Sequence, residues 1–174
     1  PGGCSEASET RAGDGSGNAN TAGNNNSFFG RSAGLSNTTG FYNSFVGKSA
    51  GVSNTTGFYN TFFGLNAGAA NTTGSQNTLI GYSSSVSAGD LLNATAIGAN
   101  SQVTQHNSLV LGSINGVNSA SADTNVGIGT TAPQYRLHVV GGNIRLEGSS
   151  FPRFSLNFTG GGADQKKWQN YATT

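Results

Sequence analysis

Two short patterns hold the residues best placed to do chemistry. Gly30-Arg31-Ser32-Ala33-Gly34 and Gly47-Lys48-Ser49-Ala50-Gly51 both fit Gly-x-Ser-x-Gly. In acyl-transfer enzymes that pattern puts a serine on a sharp strand-to-helix turn, with a histidine and a carboxylate to activate it. Here the pattern occurs twice, seventeen residues apart, and no helical periodicity follows either copy. A repeated pattern points to structure rather than to a nucleophile. Gly127-Ile128-Gly129-Thr130-Thr131-Ala132 fits the dinucleotide fingerprint. Pro133 and a strand-like run follow it, where pyrophosphate would need a helix N-terminus. His106 and His138 stand alone, and no Cys/His/Asp group has metal-ligand spacing. The aspartate-bearing nonapeptide of calcium-binding rolls is absent. The stretch from Gly15 to Gly89 has no Asp or Glu, so it lacks the carboxylate pair of a glycosidase. The expectation is a protein that is not an enzyme, with no catalytic residue, no cofactor and no metal.

The elements behind these patterns come from a repeat. Gly13, Gly30, Gly47, Gly64, Gly81 and Gly98 are spaced by seventeen residues, and Gly98 to Gly112 by fourteen. Gly17, Gly34, Gly51 and Gly68 keep the same beat, as do Asn20, Asn37, Asn54 and Asn71, and Gly23, Gly40, Gly57 and Gly74. A short fixed period marks a solenoid in which each repeat is one coil. Before each punctuating glycine stands an apolar pair: Phe28-Phe29, Phe45-Val46, Phe62-Phe63, Leu79-Ile80, Ala96-Ile97 and Val110-Leu111. Neighbouring strand residues point to opposite faces, so each pair suits a short strand covered on both sides. Three and five residues after the glycine come a small and an apolar residue: Ala33/Leu35, Ala50/Val52, Ala67/Ala69, Ser84/Val86 and Ser101/Val103. This alternation predicts a second, half-buried strand. Asn-Thr-Thr-Gly (37–40, 54–57, 71–74) is turn chemistry, which also explains sequons such as Asn37-Thr38-Thr39. One coil is then strand, turn, strand, turn.

Such a coil is thin. Burying a Phe contributes roughly 1.5–3 kcal/mol, whereas ordering each residue costs roughly 1–2 kcal/mol. One apolar row is expected to fill the coil and the other to face a second subunit. The roll and trimer core is therefore expected at Phe28, Phe29, Phe45, Val46, Phe62, Phe63, Leu79, Ile80, Ile97, Val110 and Leu111, in a homotrimer.

Asn93-Ala94-Thr95-Ala96-Ile97-Gly98 and Asn107-Ser108-Leu109-Val110-Leu111-Gly112 resemble the head repeat of trimeric autotransporter adhesins, the Yersinia adhesin-like family. The earlier copies depart from it, with Phe-Phe-Gly in place of Ala-Ile-Gly and a longer turn. The resemblance implies a left-handed parallel β-roll assembled as a trimer. The run Asn125 to Gly141 resembles a segment of phage tail fibres and bacterial surface fibres that often precedes an intramolecular chaperone, including mosaic fibres of predatory bacteria.

The fold class read from all this is all-β: a left-handed parallel β-roll solenoid forming a homotrimeric fibre, then a β neck and the start of a β-sandwich-like tip. Residues 1–24 are a low-complexity linker or degenerate cap coil, with Arg11 and Ala12 at the apolar positions. Residues 25–117 form the roll and 118–148 the neck, where Arg136–Val140 and 143–146 read as a hairpin about Gly141-Gly142. Residues 149–174 open the tip, with Trp168 buried, and are expected to be truncated before such a domain closes. Any targeting segment is expected to lie upstream. Cys4 is the one cysteine; Gly3-Cys4 lacks the apolar stretch of a lipoprotein signal, and a solvated thiol is expected.

Only 9% of the residues are charged and the formal net charge is +1, which gives no reason to invoke nucleic acid. No apolar run reaches the length of a membrane span. Phe41-Tyr42 and Phe58-Tyr59 stack by register at a turn, and with Trp168 and Tyr171 they are the candidate binding surface; the contact between subunits is the favoured reading of the two pairs. The expected function is a structural and adhesive segment of a trimeric surface fibre, extracellular or on a bacterial or phage surface. It would present a receptor-binding tip to a cell-surface glycan or envelope protein of a target cell. The alternatives are a phage or injection-machine tail fibre segment and an ice-binding β-solenoid, the latter disfavoured because the threonines noted sit in turns.

Overall fold

The computed structural model describes residues 9–141. The chain divides into two units, Pro1–Val140 and Gly141–Thr174, and the first holds everything that follows. Cys4, the second arm of the expected hairpin, Trp168, Tyr171 and the expected tip lie outside the described residues.

Among the described residues there is no helix, and parallel strands stack as a β-solenoid of about six turns. The main sheet has seven strands: β1 (Thr10–Ala12), β2 (Ser27–Phe29), β3 (Ser44–Val46), β4 (Thr61–Phe63), β5 (Thr78–Ile80), β7 (Thr95–Ile97) and β9 (Leu109–Leu111). Every pairing is parallel and in register, so Phe28 lies beside Phe45, Phe45 beside Phe62, Phe62 beside Leu79 and Leu79 beside Ala96. That inward column forms the core. Its rings stack, with centroids 5.1 Å apart for Phe28–Phe45 and 4.7 Å for Phe45–Phe62. Period-two geometry sends the next residue of each strand outward.

The second side of the coil differs from the sequence-based expectation. A second strand forms only in the last two full coils, as β6 (Ser85–Val86) and β8 (Gln102–Val103), which pair in parallel. In earlier coils the chain there runs through consecutive turns. Ala33 N–H donates to Gly30 O at 3.1 Å and Leu35 N–H to Ser32 O at 3.3 Å. The third residue of each turn has positive φ, 58° at Ser32 and 59° at Gly34, as a type II turn requires. The cause lies in one column. Gly34, Gly51 and Gly68 take positive φ; Ser85 and Gln102 stand at that position one and two coils later, and the backbone there is extended. The glycine also makes room: a Cβ on Gly34 would come within 2.8 Å of the Phe28 ring, and one on Gly51 within 2.5 Å of the Phe45 ring. Where Phe gives way to Leu79 and Ala96, the glycine is no longer needed, and Val86 and Val103 turn inward to fill the volume.

The turns are held by two asparagine ladders inside the coil. Asn54 donates to Asn37 Oδ1 at 2.9 Å and Asn71 to Asn54 Oδ1 at 2.8 Å. In the second ladder Asn26, Asn43 and Asn60 accept through Oδ1 from the backbone N–H of Asn43, Asn60 and Asn77 at 2.9–3.0 Å. The Nδ2 groups of Asn37 and Asn26 meet on Gly40 O, at 3.0 and 2.9 Å. Asn26, Asn37, Asn43, Asn54, Asn60, Asn71 and Asn77 are all fully buried. A buried amide is tolerated only when its donors and acceptors are matched, and here each coil matches the next. The first ladder ends at Asn71. The second ends at Asn77 in the Leu79 coil, where Asn77 Oδ1 accepts the Ala94 N–H at 2.8 Å. Beyond them Ala88 and Ala94 take the asparagine places, and Leu91 replaces the turn glycine.

The first described coil is polar. Glu9 stands one repeat before Asn26 and Arg11 one repeat before Phe28, with Arg11 and Phe28 in register. The Glu9 carboxylate accepts from Asn20 and Asn26 and pairs with Arg11, which also donates to Gly17 O at 2.9 Å. After β9 the 113–124 segment folds back, where Thr124 N–H donates to Ser113 O at 3.0 Å and Asn118 Nδ2 to Ser83 O at 2.6 Å. β10 (Val126–Ile128) and β11 (Leu137–Val139) then pair in parallel as a separate two-stranded sheet. The first arm of the expected hairpin is thus engaged with the strand before it. An Asp123–Arg136 ion pair spans the entrances to these two strands.

Candidate interaction surfaces

The residues of the catalysis-like patterns serve the backbone. Ser32 is the third residue of a type II turn, and its N–H donates to Asp14 O at 2.8 Å; Ser49 repeats this with Arg31 O. Gly127 lies within β10, and the chain leads from there to β11. His106 accepts the Leu92 N–H on Nδ1 at 2.9 Å, and His138 accepts the Gln134 N–H at 3.3 Å. Among the described residues no group of three or more His, Cys, Asp or Glu side chains could share an ion, and no helix is long and apolar enough to cross a membrane.

The predicted roll-core residues separate into two columns. Phe28, Phe45, Phe62 and Leu79 are fully buried, and Val110 packs half-buried against them. The outward column is Phe29, Val46, Phe63, Ile80, Ile97 and Leu111. Five of these are 37–58% exposed, and Val46 is half-buried. Successive members are strand partners, so they form one apolar stripe along the stack, about 4.8 Å per coil. Beside it on the same face runs Ser27, Ser44, Thr61, Thr78 and Thr95. This column keeps the seventeen-residue period and lies on strands, unlike the turn threonines. The hydroxyls of Thr38, Thr55 and Thr72 donate to carbonyls of the following coil at 3.1 Å.

The four aromatic residues at the turn come together in two coils. Phe41 and Phe58 stack at 4.9 Å and Tyr42 and Tyr59 at 5.1 Å, both pairs within 1° of parallel. The two stacks meet edge to face, at 76°. The phenylalanines are half-buried, while the tyrosines are 49% and 51% exposed. Tyr42 and Tyr59 both have φ near +55°, where Asn25, Asn93 and Asn107 stand in other coils. Asn tolerates that region; a bulky residue held there costs on the order of 1–3 kcal/mol.

Comparison with protein-family models, with curated proteins and with solved structures gives no match.

Proposed function

We propose that the chain is a structural and adhesive segment of a trimeric surface fibre, with a left-handed roll as its shaft. One observation carries this reading: the outward stripe of Phe29, Val46, Phe63, Ile80, Ile97 and Leu111 on a coil whose own interior is already filled. An apolar stripe of that length on a monomer usually marks an interface. Because it is in register along the stack, identical chains laid parallel would meet at every level. Three chains would present three copies of any binding surface, and weak contacts to a cell-surface glycan or envelope protein would then add through effective concentration. The reading is extracellular and non-enzymatic.

Light scattering on the intact chain tests it. The expected mass is about three times the 17.5 kDa of one chain, falling to one chain when Phe63→Lys and Ile80→Lys charge the stripe. A folded wild-type monomer would sink the proposal. A second reading, ice binding, gains from the Ser27-to-Thr95 column, which lies on strands rather than in turns. It needs that face free, so thermal hysteresis from a monomeric wild type would favour it over the fibre.

A further inference from the structure

The aromatic corner is confined to two coils, although the scaffold repeats across many. Asn24-Asn25 precede it in the column and Ser75-Gln76 follow it. A contact needed by every coil would recur in every coil, as the outward stripe does. At this corner the coil stacks equally well with asparagine, and asparagine suits the positive φ better. Phe41, Tyr42, Phe58 and Tyr59 are therefore placed at a local cost in conformation that the stacking of coils does not require.

The surroundings select the kind of partner. From Gly15 to Gly89 the only charged side chains are Arg31 and Lys48. The residues nearest in the columns are amides and hydroxyls: Gln76, Ser44 and Thr61. A charged ligand would find little to pair with. Three of the backbone donors that a peptide strand would pair with at the corner are already taken. The N–H of Tyr42 donates to Asn24 O, that of Tyr59 to Phe41 O and that of Gln76 to Phe58 O, at 2.9–3.1 Å. Each tyrosine ring has one face against its partner and the other turned toward a coil without a ring. Gln76 stands next in the column beyond Tyr59, at the same positive φ, and is exposed. An aromatic face beside an exposed amide, without charge, matches a sugar ring: its C–H face stacks on the ring and a hydroxyl bonds the amide.

We propose that Tyr42 and Tyr59, backed by Phe41 and Phe58 and flanked by Gln76, bind the apolar face of a neutral pyranose in a surface glycan. The site rests on the fibre reading for its partner but not for its geometry.

The test titrates the intact chain with cellohexaose, mannohexaose and chitotetraose, read by saturation-transfer NMR and calorimetry. The wild type is expected to bind at least one of them at millimolar strength, with transfer strongest at the sugar C–H face. Tyr42→Asn with Tyr59→Asn uses the residue that other coils carry at this position, so the variant is expected to fold and melt no lower. Its affinity is expected to fall about tenfold or more, the equivalent of one aromatic contact, with the light-scattering mass unchanged. Gln76→Ala is expected to weaken binding severalfold. Equal binding by wild type and double variant, or no binding of any of the three sugars, overturns the proposal. A drop in mass in the double variant also overturns it, by assigning the rings to a subunit contact. A monomeric wild type that still binds sugar through these tyrosines would remove the trimer and leave the site standing.

Discussion

Ser84 occupies the place that Ala33, Ala50 and Ala67 hold in earlier coils, and its buried Oγ has no hydrogen-bond partner. Leaving a buried hydroxyl unpaired costs about 1–3 kcal/mol. Ser84→Ala is therefore expected to stabilise the fold by about 1 kcal/mol, raising Tm by roughly 2–4 °C for a chain of this size. Ser101, one coil later, is the control, because its Oγ donates to Gly98 O at 2.8 Å. Ser101→Ala should be neutral or slightly destabilising, and a lower Tm for Ser84→Ala would show that the hydroxyl is satisfied in solution. Gly51 sits at the other extreme. A methyl there meets both an unfavourable φ of 58° and the Phe45 ring. Gly51→Ala is expected to cost more than the ~1 kcal/mol of backbone strain alone, measurable by denaturant unfolding. The serine patterns that look catalytic are thus explained by their glycines, which clear space for a ring.

At the scale of the element, the coil follows two grammars. Phe with Gly six residues on gives consecutive turns; Leu or Ala with Ser or Gln there gives a second strand and an inward Val. Gly68→Ser alone in β4's coil is expected to destabilise, because Phe62 fills the space. Adding Phe62→Leu and Ala69→Val reproduces the Leu79, Ser85 and Val86 set and is expected to recover most of the loss. Non-additivity in a mutant cycle is the readout, and a triple variant no better than Gly68→Ser would refute the pairing of ring and glycine. The stacked strands and the split of each apolar pair were legible in the sequence, because a fixed period and period-two alternation report directly on register and face. The second strand forms at Val86 and Val103 as expected but not in the earlier coils, because Ala33/Leu35 alternates like a strand while Ser32 and Gly34 reverse the sign of φ, which hydropathy does not encode. The Asn26–Asn43–Asn60–Asn77 ladder kept the same period but hid among turn-forming asparagines, and its burial follows only once the coils are stacked. Outside the main sheet, the Asp123–Arg136 ion pair flanks the β10–β11 pair. A hydrogen bond from Arg136, then one from the Asn115 N–H, hold the Asp123 carboxyl below its ordinary range. A depressed carboxylate stabilises the fold above its unfolded value and loses that contribution as pH falls through the folded one. Amide exchange across Val126–Val139 is therefore expected to accelerate at acid pH below the ordinary aspartate range. Asp123→Asn should exchange faster at neutral pH and lose this acid step; an unchanged acid profile in the variant would place the titration elsewhere.

For the whole molecule, a stack of identical coils has an inherent hazard: whatever pairs one coil with the next would also pair one molecule with another, end to end. Growth along the axis and association across it must be kept apart if the outward stripe is to set the number of chains. The first described coil breaks the repeat at fixed register. Glu9 replaces the ladder asparagine and Arg11 the core phenylalanine, and the two pair with each other. A carboxylate only accepts and a guanidinium only donates, so neither ladder nor ring stack can continue past them without stranding a charge. Restoring the repeat with Glu9→Asn and Arg11→Phe should complete an ordinary coil with a bare ring and an unpaired amide at its end. Sedimentation velocity is expected to show a concentration-dependent series of larger species, and electron microscopy particles lengthened along the stacking axis of the coils but unchanged in width. Phe63→Lys with Ile80→Lys should change the lateral mass instead, leaving the length per molecule alone. If the restored coil gives the wild-type distribution at every concentration, the Glu9–Arg11 substitution does not limit axial growth.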